Sequence, residues 1–91
     1  MREEGRTLAS VDRALALLDA LAELPSGARV GELAQRTAIN QSTVSRLLGT
    51  LMARGFVDRD DATARYRLGL RLVAFADAVL AGLGEAAEVA A

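Results

Sequence analysis

With 91 residues and a formal net charge of −1, the chain supports one small domain whose core is marginal unless it packs well or gains a partner. Hydrophobic residues make up 52% and aromatic ones only 3%, so Leu, Ala and Val must build that core. There is no Cys and no His, which excludes disulfides, the usual zinc sites and the common nucleophile–base pairs; no metal or cofactor is expected.

Residues 1–9, with Arg2 and Arg6, read as a flexible polar arm. The amino terminus is charged and lacks an apolar run, so it is not a signal peptide, and no segment approaches membrane-spanning length. A soluble cytoplasmic protein is the expectation. Ser10 is placed to cap a helix over about 11–24. Its apolar residues, Val11, Ala14, Leu15, Leu17, Leu18, Leu21, Ala22 and Leu24, cover nearly half the circumference. A stripe this wide exceeds what one small core needs and points to a second subunit. Pro25-Ser26-Gly27 ends the helix, and Ala28-Arg29-Val30 is suited to a short strand.

The stretch from Gly31 to Arg54 organises the rest. A short segment carrying Leu33 and Ala34 is followed by a break at Ala38-Ile39-Asn40 and then a longer amphipathic segment. Val44, Leu47, Leu48, Leu51 and Met52 keep the i, i+3, i+4, i+7, i+8 spacing of a helix packed on a core. Asn40 is a good N-cap, since its side-chain oxygen can accept an amide of the first turn. Two helices joined by so short a turn form a helix-turn-helix. Ala38 stands where that turn favours a left-handed residue, at a cost of about 1 kcal/mol for a non-glycine.

Gly55 is placed to close the second of these helices. Two β-prone runs, Phe56 to Arg59 and Arg65 to Gly69, flank the polar turn Asp60 to Ala64 and predict a hairpin. Alternation puts Tyr66 and Leu68 on one face and Arg65 and Arg67 on the other, outward one. A last helix runs over about 70–83, with Leu72, Val73, Phe75, Ala76, Val79, Leu80 and Leu83 on its apolar side, before an Ala-rich tail. The predicted fold is mainly α with a small β-hairpin. A winged helix-turn-helix over 10–69, three helices and a wing, is followed by a linker helix and truncated tail over 70–91.

At about 100° per residue, Ser42, Arg46, Gly49 and Ala53 lie opposite the apolar stripe of the second helix, with Thr43, Ser45 and Thr50 beside it. This face is small and hydroxyl-bearing, and no acid occurs from Ala38 through Phe56. A helix entering the major groove of DNA needs that combination. Gln41 and Ser42, at its start, are placed to meet base edges or phosphate. A helix selected only for solvation would carry Glu and Lys, and this one has neither. Charge agrees: from Arg36 to Arg71 there are seven Arg against three acids, whereas the remainder has four Arg against nine. Candidate DNA-contacting residues are therefore Gln41, Ser42, Thr43, Ser45 and Arg46, with Arg59, Arg65 and Arg67 of the hairpin as phosphate or minor-groove contacts.

The chain resembles the amino-terminal DNA-binding domain of the IclR family of bacterial transcription regulators. The resemblance rests on Ser-Val-Asp-Arg-Ala-Leu-x-Leu-Leu (10–18), Glu-Leu-Ala (32–34), Ser-Thr-Val-x-Arg-Leu-Leu (42–48), Gly-Phe-Val (55–57) and Tyr-x-Leu-Gly-x-x-Leu (66–72). It departs at Ala38, where the family pattern usually has Gly. The resemblance implies a homodimer, here through the first and last helices, reading a double-stranded DNA operator. It also implies an effector-binding domain in the parent protein that has no counterpart in this chain.

Two further functions compete with a sequence-specific regulator domain. A winged helix serving as a protein-interaction or dimerisation module would show an apolar or acidic face on the second helix, and Ser42-Thr43-Ser45-Arg46 is neither. An enzyme would need a nucleophile with its base, a paired acid in an apolar pocket or a phosphate loop, and the sequence offers none.

Overall fold

The computed structural model describes residues 8–90, with side chains as far as residue 84. The elements in chain order are α1 (Ala9–Ala22), α2 (Val30–Thr37), α3 (Gln41–Ala53), β1 (Val57–Asp60), β2 (Arg65–Leu68) and α4 (Arg71–Ala90). The expected arm at 1–9 falls outside the described residues except for Leu8 and Ala9.

Three helices and one strand converge on the core. Leu17 and Leu21 enter it from α1, Leu33 from α2, Val44, Leu48 and Leu51 from α3, and Val57 from β1; Ala28 completes it between α1 and α2. Each large aliphatic side chain among them contributes about 1.5–3 kcal/mol by leaving water. No polar side chain among the described residues is buried, so specificity rests on shape and on the backbone turns that set the helix angles.

Those turns follow from local chemistry. α2 ends in Ala38 at φ 58° and ψ 32°, the left-handed conformation expected of this position. Asn40 then caps α3, its Oδ1 accepting from the Ser42 amide at 2.9 Å and from the Ser42 hydroxyl at 2.6 Å. Ala38→Gly should raise stability by about 0.5–1 kcal/mol, because glycine enters this region without the steric penalty of a Cβ. Urea denaturation of the two proteins measures this directly, and an unchanged or lower midpoint would mean that the turn carries no strain.

Two local expectations fail. Ser10 does not cap α1: the helix begins two residues earlier, with Leu8 as an N-cap that lacks a side-chain bond, and its first helical bond runs from the Asp12 amide to the Leu8 carbonyl at 2.9 Å. At an exposed terminus water satisfies the leading amides, so a capping side chain is dispensable. Nor do residues 28–30 form a strand: Val30 opens α2, and only Ala28 pairs, exchanging both backbone bonds with Tyr66 at 2.7 and 2.9 Å.

The hairpin pairs antiparallel with Val57 opposite Leu68 and Asp60 opposite Arg65. Asp60 shapes its turn by accepting the Ala62 amide on Oδ1 and the Ala64 amide on its carbonyl. Gly55, at φ 82°, ends the α3 turn as expected. α4 continues to Ala90 rather than stopping near residue 83. The Glu-Ala-Ala-Glu-Val-Ala run has the propensity to extend a helix past Gly82 and Gly84. Among the described residues α4 makes no extensive packing along another helix. It is held at its base, where Phe75 meets Phe56 edge-on at 5.2 Å between ring centroids.

Candidate nucleic-acid interface

The exposed side of α3 is built by its own buried side. With Val44, Leu48 and Leu51 fixed in the core, helical geometry turns Ser42, Arg46, Gly49 and Ala53 to solvent. Gln41, Ser45 and Thr50 are exposed beside them, and Thr43 is half-buried at the margin. Asn40 holds the Ser42 hydroxyl, so that in this arrangement Ser42 presents acceptor lone pairs outward. The Gln41 amide lies over Gly31 at the start of α2. Arg46 has no carboxylate partner among the described residues, leaving its guanidinium uncommitted. A Cβ at Gly49 would meet nothing within 4 Å, so the helix face is open there.

The hairpin arginines are placed differently from one another. Arg59 pairs with Asp61 at 2.6 Å and lies over the Tyr66 ring, and Arg67 stands 3.8 Å from Asp60. Exposed pairs of this kind are worth about 0–1 kcal/mol, so they yield readily to a stronger anion. Arg65 departs from the expected outward position. It is half-buried, and its Nη1 donates to the Gly27 carbonyl at 3.3 Å. The bridge between Ala28 and Tyr66 draws that end of β2 against the α1–α2 loop, which covers the face carrying Arg65.

Three basic residues outside the sequence-derived set also bear on this surface. Arg29 donates to the Thr63 carbonyl at 2.9 Å and ties the start of α2 to the hairpin turn. Arg54 and Arg71 line one cleft of about 290 Å³ with Ala53, Phe56 and Phe75. In the sequence Arg54 adjoins Gly55 and Arg71 follows Gly69 by two residues, but nothing in either neighbourhood marks the two arginines as partners; the closed hairpin brings them together.

Residues 10–61 match the IclR helix-turn-helix domain. The chain belongs to the IclR family. It is 34% identical over 64 residues to the HTH-type transcriptional regulator XynR of Escherichia coli, a match covering 70% of this chain and 25% of that protein. It is likewise 34% identical over 74 residues to the DNA-binding transcriptional repressor YiaJ of the same species, covering 81% of this chain and 26% of the relative. The crystal structure of Pseudomonas aeruginosa HmgR superposes with a TM-score of 0.77 at 31% identity, covering 85% of this chain and 33% of that one. The chain thus spans about a quarter of the length of the curated relatives it matches. These likenesses make it an IclR-type helix-turn-helix, a DNA-binding domain of the bacterial transcription-regulator class and not an enzyme.

Proposed function

We propose that this IclR-family domain reads a specific double-stranded operator with α3 in the major groove and the β1–β2 hairpin alongside as a wing. The acid-free, uncommitted face of α3 supports this reading above all. Gln41, Ser42, Thr43, Ser45 and Arg46 make up the base-reading group. Ser42, held by Asn40 with its lone pairs outward, suits the exocyclic amine of adenine or cytosine. Arg46 suits the paired acceptors of guanine. Arg59 and Arg67 serve as wing contacts to phosphate, and Arg65 contributes chiefly by fastening the wing to Gly27.

The working unit in this reading is a homodimer in the cytoplasm, joined through the first and last helices. Leu8, Val11 and Leu15 leave an apolar strip on α1, continued by a groove against Leu47 and Leu51 of α3. Val73, Val79, Leu80 and Leu83 of α4 are each more than half exposed, and water is a poor resting place for so much apolar surface. No helix among the described residues is long and apolar enough to cross a membrane. An effector-binding domain in the parent protein belongs to the same proposal.

Selection of bound duplexes from a random pool tests the reading. An inverted repeat with half-sites about 34 Å or a multiple apart is the expected product of a dimer. No enrichment by the folded protein would sink the proposal. Arg46→Ala should weaken binding to the selected duplex by about 1–3 kcal/mol and relax preference at one position. Unchanged affinity with an unchanged melting curve would remove Arg46 from the base-reading group.

A further inference from the structure

We infer that Arg54 and Arg71 form a clamp for a DNA backbone phosphate at the foot of α3, an inference that rests on the DNA-binding reading above. Arg54 is the C-cap of α3 and Arg71 the first residue of α4, yet both line the same cleft. The backbone brings them together. The Gly69 amide donates to the Phe56 carbonyl at 2.7 Å, and the Arg71 amide to the Gly55 carbonyl at 3.2 Å. Gly69 permits this approach, because a Cβ there would collide with the Gly55 carbonyl oxygen.

The cleft has the chemistry of an oxyanion site. Its lining is Ala53, Arg54, Phe56, Arg71 and Phe75, with no carboxylate. Arg71 lies 5.5 Å from the centroid of the Phe75 ring, which is itself braced edge-on by Phe56. The cation–π contact holds the guanidinium beside the ring without using its N–H donors, and a guanidinium with free donors can grip two phosphate oxygens. Neither arginine makes an ion pair or a side-chain hydrogen bond among the described residues. The other basic side chains near the hairpin differ: Arg59 and Arg67 face carboxylates, and Arg29 and Arg65 bond to carbonyls.

Position decides which phosphate is available. Ala53 belongs both to the cleft and to the exposed side of α3 that carries Ser42 and Arg46. Arg54 follows Arg46 by two helical turns, about 12 Å along the axis, and the major groove is about 12 Å wide. With Arg46 over the bases, the cleft meets the sugar–phosphate strand at the groove edge. The free ligand class is therefore a phosphodiester of duplex DNA. The clamp sets register and orientation without reading sequence.

The test is affinity against salt concentration for the wild-type chain and for Arg54→Gln/Arg71→Gln, on the selected duplex and on a mixed-sequence duplex. Each phosphate contact contributes about 0.9 to the slope of log affinity on log salt. The double variant should therefore flatten the slope by about 0.9 for each bound protomer, weaken both duplexes by the same factor and leave their ratio unchanged. Arg54→Lys/Arg71→Lys, which retains the charge, should keep the steep slope. Both side chains are exposed, and a melting curve reports that each variant is folded. An unchanged slope in the folded glutamine variant overturns the clamp and leaves the DNA-binding reading intact. So does a loss confined to the selected sequence, which would mark a base contact. A wild-type chain that binds neither duplex overturns both.

Discussion

Gly69→Ala is expected to cost about 3 kcal/mol of stability or more, at the upper end of overpacking effects. The added methyl would sit 2.9 Å from both the Phe56 carbonyl carbon and the Val57 nitrogen, besides striking the Gly55 carbonyl oxygen. All three neighbours are backbone, so no side chain can swing aside to make room. The backbone is also pinned there by the bonds between Gly69 and Phe56 and between Arg71 and Gly55. Moving it would disturb Val57, a buried member of the core. In a domain of this size each kcal/mol lowers the melting temperature by roughly 4–8 °C, so a drop of at least 10 °C is the expected reading. A melt within about 2 °C of wild type would show that the junction yields and that its closeness is not enforced.

The second large effect is expected at Leu48→Ala, on the buried side of the same helix whose other side faces solvent. Leu48 is fully buried between α1, α2 and β1 neighbours in the core. Removing its three outer carbons should cost about 2–5 kcal/mol in lost transfer and residual cavity. Whole domains hold only about 5–15 kcal/mol in reserve, so a measurable fraction of this variant should be unfolded at room temperature. Because duplex binds only the folded form, a saturating amount of the selected duplex should restore structure, by about 2.7 kcal/mol at a hundred times its dissociation constant. Urea denaturation with and without duplex reads both quantities. A midpoint that duplex leaves unmoved would separate the core of this domain from its proposed ligand.

What the sequence disclosed was whatever local chemistry determines. The spacing of Val44, Leu48 and Leu51, the cap at Asn40, the left-handed turn at Ala38 and the C-terminal Gly55 each concern neighbours within one or two turns, and each stands as read. The alternation expected around Tyr66 does not appear as burial: Arg65 and Tyr66 are half-buried while Arg67 and Leu68 are exposed, because alternation cannot say which part of a strand the rest of the chain will cover. The bridge at Ala28 decided that, and it turned Arg65 toward Gly27. Ser10 misled because a residue with capping ability need not be used where water does the same work. Arg54 and Arg71 escaped notice for a related reason. Their proximity is a property of the closed hairpin and of the space left by Gly69, and neither residue carries a mark of it in its own surroundings.

The attachment of α4 has a mechanical consequence. A helix of 20 residues is about 30 Å long, and this one is anchored near one end by two backbone bonds and the Phe56–Phe75 contact. It is a lever with a short inner arm. Tilting it by about 10° at Gly69 carries the far end through roughly 5 Å, given that length, while the guanidinium of Arg71 moves by a small fraction of that distance. Force applied at the outer end is multiplied at the inner one, against Arg54 and the last turn of α3.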